Sequence, residues 1–449
     1  MLRIANGQGF WGDSVDAPAR LVEEGPLDVL TLDYLAEVTM SILQKLKSRD
    51  PKAGYATDFV ELVRRILPTL RAKGIRVVAN AGGVNPDACR AALLDAARAA
   101  GSKGMRIGTV VGDDILDRLD ELHDSGVPFA NLDDGRPFGT IRGQVLSANV
   151  YISSFPAAEA LRRGAQIVVT GRMTDPGLVV APLLAEYGWA SDDWDRLAAA
   201  TIAGHILECG AQCTGGNFSR WWEVGGWDRI GYPIAEVEAD GSFTVTKHEG
   251  TGGLVTVDTV SEQLLYEMGN PNGYITPDCV ADFTSIRLAQ DGRDRVRVTG
   301  IRGKPATDTF KVSMAYLEGY KAVGQLTVAG PDALEKARVC ADALWGRLRR
   351  AGMSYEQTIT EYLGAGECHG ALARNENPPE VVLRVGVKDP DRRKVDRFGK
   401  ELAPLVTSGP PGVTGFAGGR PKATEVLGYW PTLIPKRLVE PVVTVEEVA

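Results

Sequence analysis

The chain has 449 residues, 44% apolar and 24% charged, which fits an ordinary globular protein of two or three domains and excludes a disordered tract or a fibre. With 50 basic against 58 acidic side chains, the net charge is −8 and no basic block stands out, so nucleic acid is not expected as a partner. No apolar run reaches the roughly 18 residues of a membrane span, no signal pattern opens the chain, and six scattered cysteines form no C-x-x-C pair; together these predict a cytoplasmic protein with reduced thiols.

From residue 1 to about 200, strand-like and helix-like runs alternate. Arg3–Asn6 reads as a short strand that stops at Gly7-Gln8-Gly9. Asp28–Asp33 is a second strand, followed by helical spacing over Tyr34–Leu46. Thr57–Ala72 places Phe59, Leu62, Ile66 and Leu70 on one helix face. Ile75–Ala79 is a buried strand ending at Asn80-Ala81-Gly82-Gly83, and Pro86 opens the next helix in its first turn. Met105–Val111 is a fourth strand, after which Gly112-Asp113-Asp114 caps a helix. Val145–Ile152 is strand-like and Phe155–Arg163 helical. Ala165–Thr170 is a buried strand ending in Gly171-Arg172-Met173-Thr174-Asp175-Pro176, with a helix to about Tyr187. Apolar strands flanked by amphipathic helices predict an α/β fold with an open, mostly parallel, doubly wound sheet over residues 1–200. Five or six strands are too few for a closed barrel of eight.

After about residue 200 the texture changes. Thr201–Cys213 is helical, and glycine and tryptophan then crowd Gly215–Trp227. Shorter strands are expected at Ser242–Lys247, Leu254–Val257, Ile286–Leu288, Arg295–Thr299, Phe310–Met314 and Ala322–Val328. A long helix over Pro331–Arg350 and a strand at Val381–Val387 follow. Ser408–Arg420 reads as an ordered loop, since Trp430, Leu433 and Ile434 beyond it want burial. Residues 201–449 are read as a second domain of α+β class with a mixed or antiparallel sheet.

Ligands of an open parallel sheet sit outside the carboxyl ends of its strands. The strand-end turns therefore supply candidate substrate-binding residues: Asn6, Gly9 and Asp13 after the first strand, Asp33 after the second, and Asn80, Gly83 and Asn85 after the third. Arg172 and Asp175 complete the set. The alternative for each turn is that its glycines only shape the chain. Gly7-x-Gly9-x-x-Gly12 matches the dinucleotide fingerprint letter for letter, but Phe10 and Trp11 fill the turn. Asp28 and Asp33 compete for the acidic position, so no nucleotide cofactor is expected.

A second constellation runs from His205 through Glu208 and Cys209 to Cys213 and the turn Thr214-Gly215-Gly216-Asn217. If this is helix, His205, Cys209 and Cys213 share one face, with Glu208 beside them. These are zinc-ligand types, but ligands strung over two turns cannot converge on one ion, so no metal is expected. Either the segment is small core residues with one hydrogen-bonded histidine, or His205 and Glu208 are acid–base residues and Thr214 to Asn217 cradle a carbonyl. His248 and Glu249, before the turn Gly250-Thr251-Gly252-Gly253, are further proton-transfer candidates or a solvated hairpin tip. Arg420 and Lys422, beside Gly418-Gly419, form either an anion clamp or a surface loop. No G-x-S-x-G elbow, Walker loop or H-E-x-x-H helix is present.

These segments carry a resemblance. Ala5-Asn6-Gly7-Gln8-Gly9-Phe10-Trp11-Gly12-Asp13, Leu32-Asp33-Tyr34-Leu35-Ala36-Glu37, Asn80 to Pro86, Val169 to Asp175, Glu208 to Gln212, Thr214 to Phe218, His248 to Gly253 and Gly419 to Lys422 with Trp430-Pro431 are similar to the acyclic terpene utilisation AtuA family, in one order along nearly the whole chain. The resemblance implies a part in breaking down acyclic terpenes such as citronellol and geraniol, a route that runs through branched acyl-CoA thioesters. Some members carry a small C-terminal domain of ferredoxin-like fold, and the resemblance implies a separate small subunit of that kind here.

The leading expectation is an enzyme of acyclic-terpenoid or branched-chain acid catabolism. It would act on an acyl-CoA-type substrate by hydratase or lyase chemistry, with His205, Glu208, His248 or Glu249 moving the proton and no cofactor. A small-molecule substrate and further copies in an oligomer are the other expected partners. Two alternatives stand beside it. One is a non-catalytic subunit docking through Trp221, Trp222 and Trp227; the other is a metal-dependent hydrolase.

Overall fold

The computed structural model describes every residue except 36, 374–376 and 416–417. Ala36 of the motif Leu32–Glu37 and part of the loop Ser408–Arg420 thus lie outside the described residues. The chain divides into two compact units, residues 1–315 with 429–449 and residues 316–428.

In the first unit, β1 (Leu2–Asn6), β2 (Val29–Leu32), β3 (Arg76–Ala79), β4 (Arg106–Val111) and, after β5 (Val145–Val150), β6 (Ile167–Thr170) build the centre of a large sheet. Five of these run parallel in the order β1-β2-β3-β6-β4. β2 and β6 are buried at every position, as Val-Leu-Thr-Leu and Ile-Val-Val-Thr runs must be when both sheet faces are covered. α1 (Ala17–Glu24), α2 (Glu37–Arg49), α3 (Thr57–Lys73) and α4 (Pro86–Ala99) follow the early strands, and α1, α3 and α4 pack side by side. α3 buries Phe59, Val63, Ile66 and Leu70, one face at helical spacing, and stops at Gly74 in the left-handed region. After α5 (Leu119–Asp124) come α6 (Phe155–Arg162), α7 (Gly177–Tyr187) and α8 (Trp194–Leu207), a second packed layer. The doubly wound arrangement is present as expected.

The reversal of winding has a fixed place. β3 leads into α4 of one layer and its neighbour β6 leads into α7 of the other. Right-handed crossovers then splay the two loops apart and leave a crevice at the carboxyl ends of β3 and β6.

The later strands depart from expectation. β7 (Ile234–Val237) and β8 (Phe243–Thr246) do not found a separate sheet; β7 pairs antiparallel with β1 and extends the first one. Residues 254–256, expected as strand with Val257, have no regular structure, and α9 (Val257–Leu265) starts at Val257, where Thr256 and Thr259 form a reciprocal capping box. β9 (Tyr274–Ile275) and β10 (Val280–Asp282) lie in a small sheet; β11 (Arg287–Gln290) and β12 (Val296–Thr299) widen the large one to ten strands, with β13 (Arg302–Lys304) returning to the small one. The expected boundary at residue 200 falls inside α8, and the compact units divide elsewhere.

β14 (Thr309–Ala329) is one strand of 21 residues where two were expected. The second unit holds α10 (Ala333–Arg350), β15 (Gln357–Leu363), β16 (Glu380–Asp389), α11 (Arg392–Phe398), α12 (Leu405–Ser408) and β17 (Val413–Thr414). Tyr320–Ala329 of β14 pairs antiparallel with β16, and β16 with β15. α10 packs on β16 and buries Ala337, Cys340, Ala341, Leu344 and Leu348. This unit is α+β with an antiparallel sheet. β18 (Thr424–Pro435) follows, and β19 (Val442–Glu447) closes the edge of the large sheet against β4.

Candidate functional site

The turn after β2 is tied to the turn after β3. Asn80 Nδ2 donates to Asp33 Oδ1 at 2.7 Å, and Asn80 Oδ1 accepts the Tyr34 amide at 2.7 Å. Burial, reinforced by the nearby Asp175 charge, holds the Asp33 carboxyl well above the usual range; Arg172 and the hydrogen bonds only partly oppose this.

The turn after β6 places Arg172. Its side chain is 1% exposed and its guanidinium lies 4.1 Å from the Tyr151 ring centroid. Nη1 donates to the Leu35 carbonyl at 2.8 Å and to Asp175 Oδ1 at 2.5 Å, while Nε has no partner. The turn itself is held from behind by buried Asp113, at the end of the Arg106–Val111 strand's following loop. Asp113 Oδ2 accepts the Arg172 amide at 2.8 Å and Asn149 Nδ2 at 3.0 Å. A Cβ at Gly171 would sit 2.2 Å from Asp113 Oδ1, so only glycine lets this carboxylate reach the turn. Desolvation pushes Asp113 up to about 7. Of Gly112-Asp113-Asp114, expected to cap the next helix, Asp114 bonds its first residue, Oδ1 accepting the Leu116 amide, while Asp113 turns to Arg172 instead.

The third element is the end of α8, which stops at Leu207 rather than running to Cys213. Asn6 Nδ2 donates to the carbonyls of Leu207 and Glu208 at 2.9 and 3.0 Å, satisfying groups a further turn would have used. A 3₁₀ turn over Gly210–Thr214 follows. Gly9 makes this meeting of β1 and α8 possible, since a Cβ there would stand 2.9 Å from the backbone of Cys209 and of Gly210.

His205 and Glu208 form a buried pair. His205 Nδ1 is 2.9 Å from Glu208 Oε1, and Nε2 is 3.1 Å from the Gln263 carbonyl. A carbonyl can only accept, so Nε2 carries a proton, and the pair holds its other proton between Nδ1 and Oε1. Tyr274 and Phe283 pack against the imidazole, with ring centroids at 5.5 and 5.3 Å. Burial alone would lower the His205 pKa, but Glu208 and the Gln263 carbonyl outweigh it and raise it. Desolvation pushes Glu208 up to about 7, opposed by His205 and assisted by Asp175 and Glu267. Glu208 Oε2 has no partner.

Gly9, Phe10, Asp33, Leu35, Arg172, Asp175, Glu208, Cys209, Gln212, Tyr266 and Glu267 enclose one cleft of about 500 Å³. It sits at the carboxyl ends of the parallel strands, beside the reversal of winding. The Glu208 carboxyl, the fixed Arg172 guanidinium and the buried Asp33 carboxyl thus line one volume, residue types suited to moving protons beside a carbonyl.

A family model described as acyclic terpene utilisation family protein AtuA matches residues 2–445. The chain belongs to the AtuA family. No curated protein and no solved structure matches it. Membership ties the chain to acyclic terpene utilisation. Among the described residues, no helix is long and apolar enough to cross a membrane.

The AtuA cleft gathers Gly9, Asp33, Arg172, Asp175 and Glu208 from the expected set, with Asn6, Asn80 and His205 bonded directly behind them. Asp13 supports it by accepting the Gly9 amide and the Tyr232 hydroxyl. Gly83 and Asn85 lie elsewhere: Asn85 Nδ2 donates to the carbonyls of Pro51 and Ala53, and Gly83 packs against Leu43 and Gly54. The Thr214 hydroxyl is spent on the carbonyls of Ala211 and Gly231, and Gly215, Gly216 and Asn217 continue that turn away from the lining. His248 Nε2 bonds the Leu21 carbonyl beside a recess of about 10 Å³, room for one water, and Glu249 is exposed. Arg420 and Lys422 are exposed residues of the second unit. Among the described residues no group of His, Cys, Asp and Glu is placed to hold a metal ion. Sequence reasoning missed Gln212, Tyr266 and Glu267 as lining and Asp113 as support. The signal available for Glu267 is conformational: it is a non-glycine residue at φ +57°, strain of the kind that collects at working sites.

Proposed function

We propose that this AtuA protein is an enzyme of acyclic-terpenoid catabolism that adds water to, or removes it from, an acyl-CoA-type substrate, with Glu208 as the proton-transfer group. The observation that carries this reading is the divided role of Glu208: Oε1 is bound to His205 while Oε2 is unpartnered on a residue that lines the cleft. A carboxyl held at about 7 can give and take a proton at neutral pH. In the hydration direction, Oε2 takes one proton of a water as its oxygen bonds the β-carbon. The electron pair of the C=C bond moves through the α-carbon onto the thioester oxygen, where Arg172 offers an N–H. Protonation of the α-carbon by Glu208 completes addition of one water. Incubation with a panel of branched enoyl-CoA thioesters should give products heavier by one water, and Glu208→Gln should not; a panel that yields no mass change with the native protein removes the reading.

A second reading has its own observation. Trp221, Trp222 and Trp227 are 62%, 65% and 48% exposed, an aromatic face that supports docking of a partner such as the small subunit the resemblance implies. On that reading alanine at His205, Glu208, His248 and Glu249 leaves pathway flux unchanged, whereas replacing the three tryptophans by serine abolishes it.

A further inference from the structure

A second recess opens at the same edge of the large sheet. Gly9, Asp33 and Leu35 line the cleft already described, whereas their sequence neighbours Gln8 and Tyr34 line a separate volume of about 230 Å³. Its wall is α3, which contributes Asp58, Glu61, Leu62 and Arg65. The polar atoms at its base have nothing to bond. Tyr34 is 1% exposed; its amide is taken by Asn80, but its hydroxyl has no hydrogen-bond partner among the described residues. Burial, then the Asp58 charge, raise the Tyr34 pKa, and a charge acts on the titration of a phenol through its oxygen, so the hydroxyl lies towards Asp58 of the same lining. Gln8 is 3% exposed, and its Nε2 donates to the Phe10 carbonyl at 3.3 Å, which fixes the orientation of the amide and leaves Oε1 without a donor. Asp58 Oδ1 accepts Trp11 Nε1 at 2.9 Å, and Oδ2 has no partner.

The charges of this lining decide what it can hold. Arg65 is bonded to Asp16 at 2.6 Å and Glu61 to Arg64, so each pair offsets itself. Asp58 is the charge left over among the lining residues. Three oxygens that can accept, around one unopposed negative charge, match a primary ammonium, which has three N–H donors and no acceptor. A hydroxyl has one proton to give. A carboxylate has none and brings a like charge. Val15 and Leu62 add apolar surface for a short carbon stem. We propose that this recess binds a small free primary amine as its ammonium, with the N–H groups on Gln8 Oε1, Tyr34 Oη and Asp58 Oδ2. The site is separate from the cleft, and the proposal does not depend on the chemistry proposed there.

Propylamine, 1-propanol and propionate, titrated against the intact chain at neutral pH and constant ionic strength, test it, with KCl exchanged for NaCl as a fourth arm. Trp11 gives the readout: its indole N–H is bonded to Asp58 and is one of eight such signals in a ¹H–¹⁵N spectrum, assigned by its loss in Trp11→Phe. Propylamine should shift that signal saturably and bind at least about tenfold more tightly than the alcohol or the carboxylate, and potassium should leave the signal unmoved. Asp58→Asn keeps an acceptor for Trp11 but loses the charge, and Tyr34→Phe loses only the hydroxyl. Each should weaken propylamine several-fold while the other seven indole signals stay in place. No saturable shift with propylamine, an equal response to 1-propanol, propionate or potassium, or propylamine binding that either variant leaves intact would each overturn the proposal. The ranking of probes on the native protein stands as a test by itself should a variant fail to fold.

Discussion

At the scale of single residues, the buried carboxyls make the sharpest predictions. Glu208→Gln keeps size and removes the titrating group, so hydration should fall by roughly 10²–10⁴. With the native protein the hydration rate should rise as pH passes through about 7, where Glu208 ionises, and dehydration should fall over the same range; stopped assays across pH in both directions check the sign. Asp113 bears on stability instead. Its pKa is raised in the fold from 3.8 to about 7, so the folded chain holds the proton more tightly than the unfolded one. Stability from this group is therefore full below about pH 4 and is lost as pH rises through 7, a matter of a few kcal/mol. Urea unfolding of native and Asp113→Asn proteins at acid and neutral pH should show a steeper loss in the native protein; parallel pH dependences would refute the assignment. Of these groups, His205 and Glu208 were legible from spacing, because a histidine and a carboxylate three apart share a helix face. Asp113 and Glu267 were not, since their meaning comes from what packs against them across the fold.

At the scale of elements, the contact of β1 with the end of α8 is the joint on which the site depends. Gly9→Ala would put a methyl group 2.9 Å from two backbone atoms that cannot rotate away, so a loss of about 1–3 kcal/mol and of activity is expected. Asn6→Ala strands two carbonyls and should cost about 1–3 kcal/mol. Chemical denaturation compares both with Gly139→Ala, since Gly139 has open space around its missing Cβ and no left-handed φ. The central elements were readable because their patterns are strong: fully apolar four-residue strands, and a helix with one buried face at regular spacing. Leu254–Val257 resembles a strand because a short apolar run carries no period of its own, whereas the capping pair Thr256 and Thr259 starts a helix at its last residue.

At the scale of the whole molecule, the ten-strand sheet is assembled from distant parts of the chain, with β19 at its edge. Val442–Glu447 pairs with β4 along six residues, and Val448 is buried beyond it. Removing residues 442–449 should expose the β4 edge, lower the melting temperature and promote self-association, which thermal melts and size-exclusion chromatography will show; a monomer of unchanged Tm would contradict the role given to β19. The sequence alone determined the class of the first sheet, its buried strands and the strand-end turns as the place for a ligand, because periodicity and glycine placement are local signals. Only the tertiary structure decided which turns share a cleft. Asn6, Asp33, Asn80, Arg172 and Glu208 meet because parallel strands align their carboxyl ends and winding reverses between β3 and β6. Thr214, His248 and Glu249 look alike in sequence but end in other surroundings, since what separates a site from a turn is the identity of the groups that long-range packing brings to it.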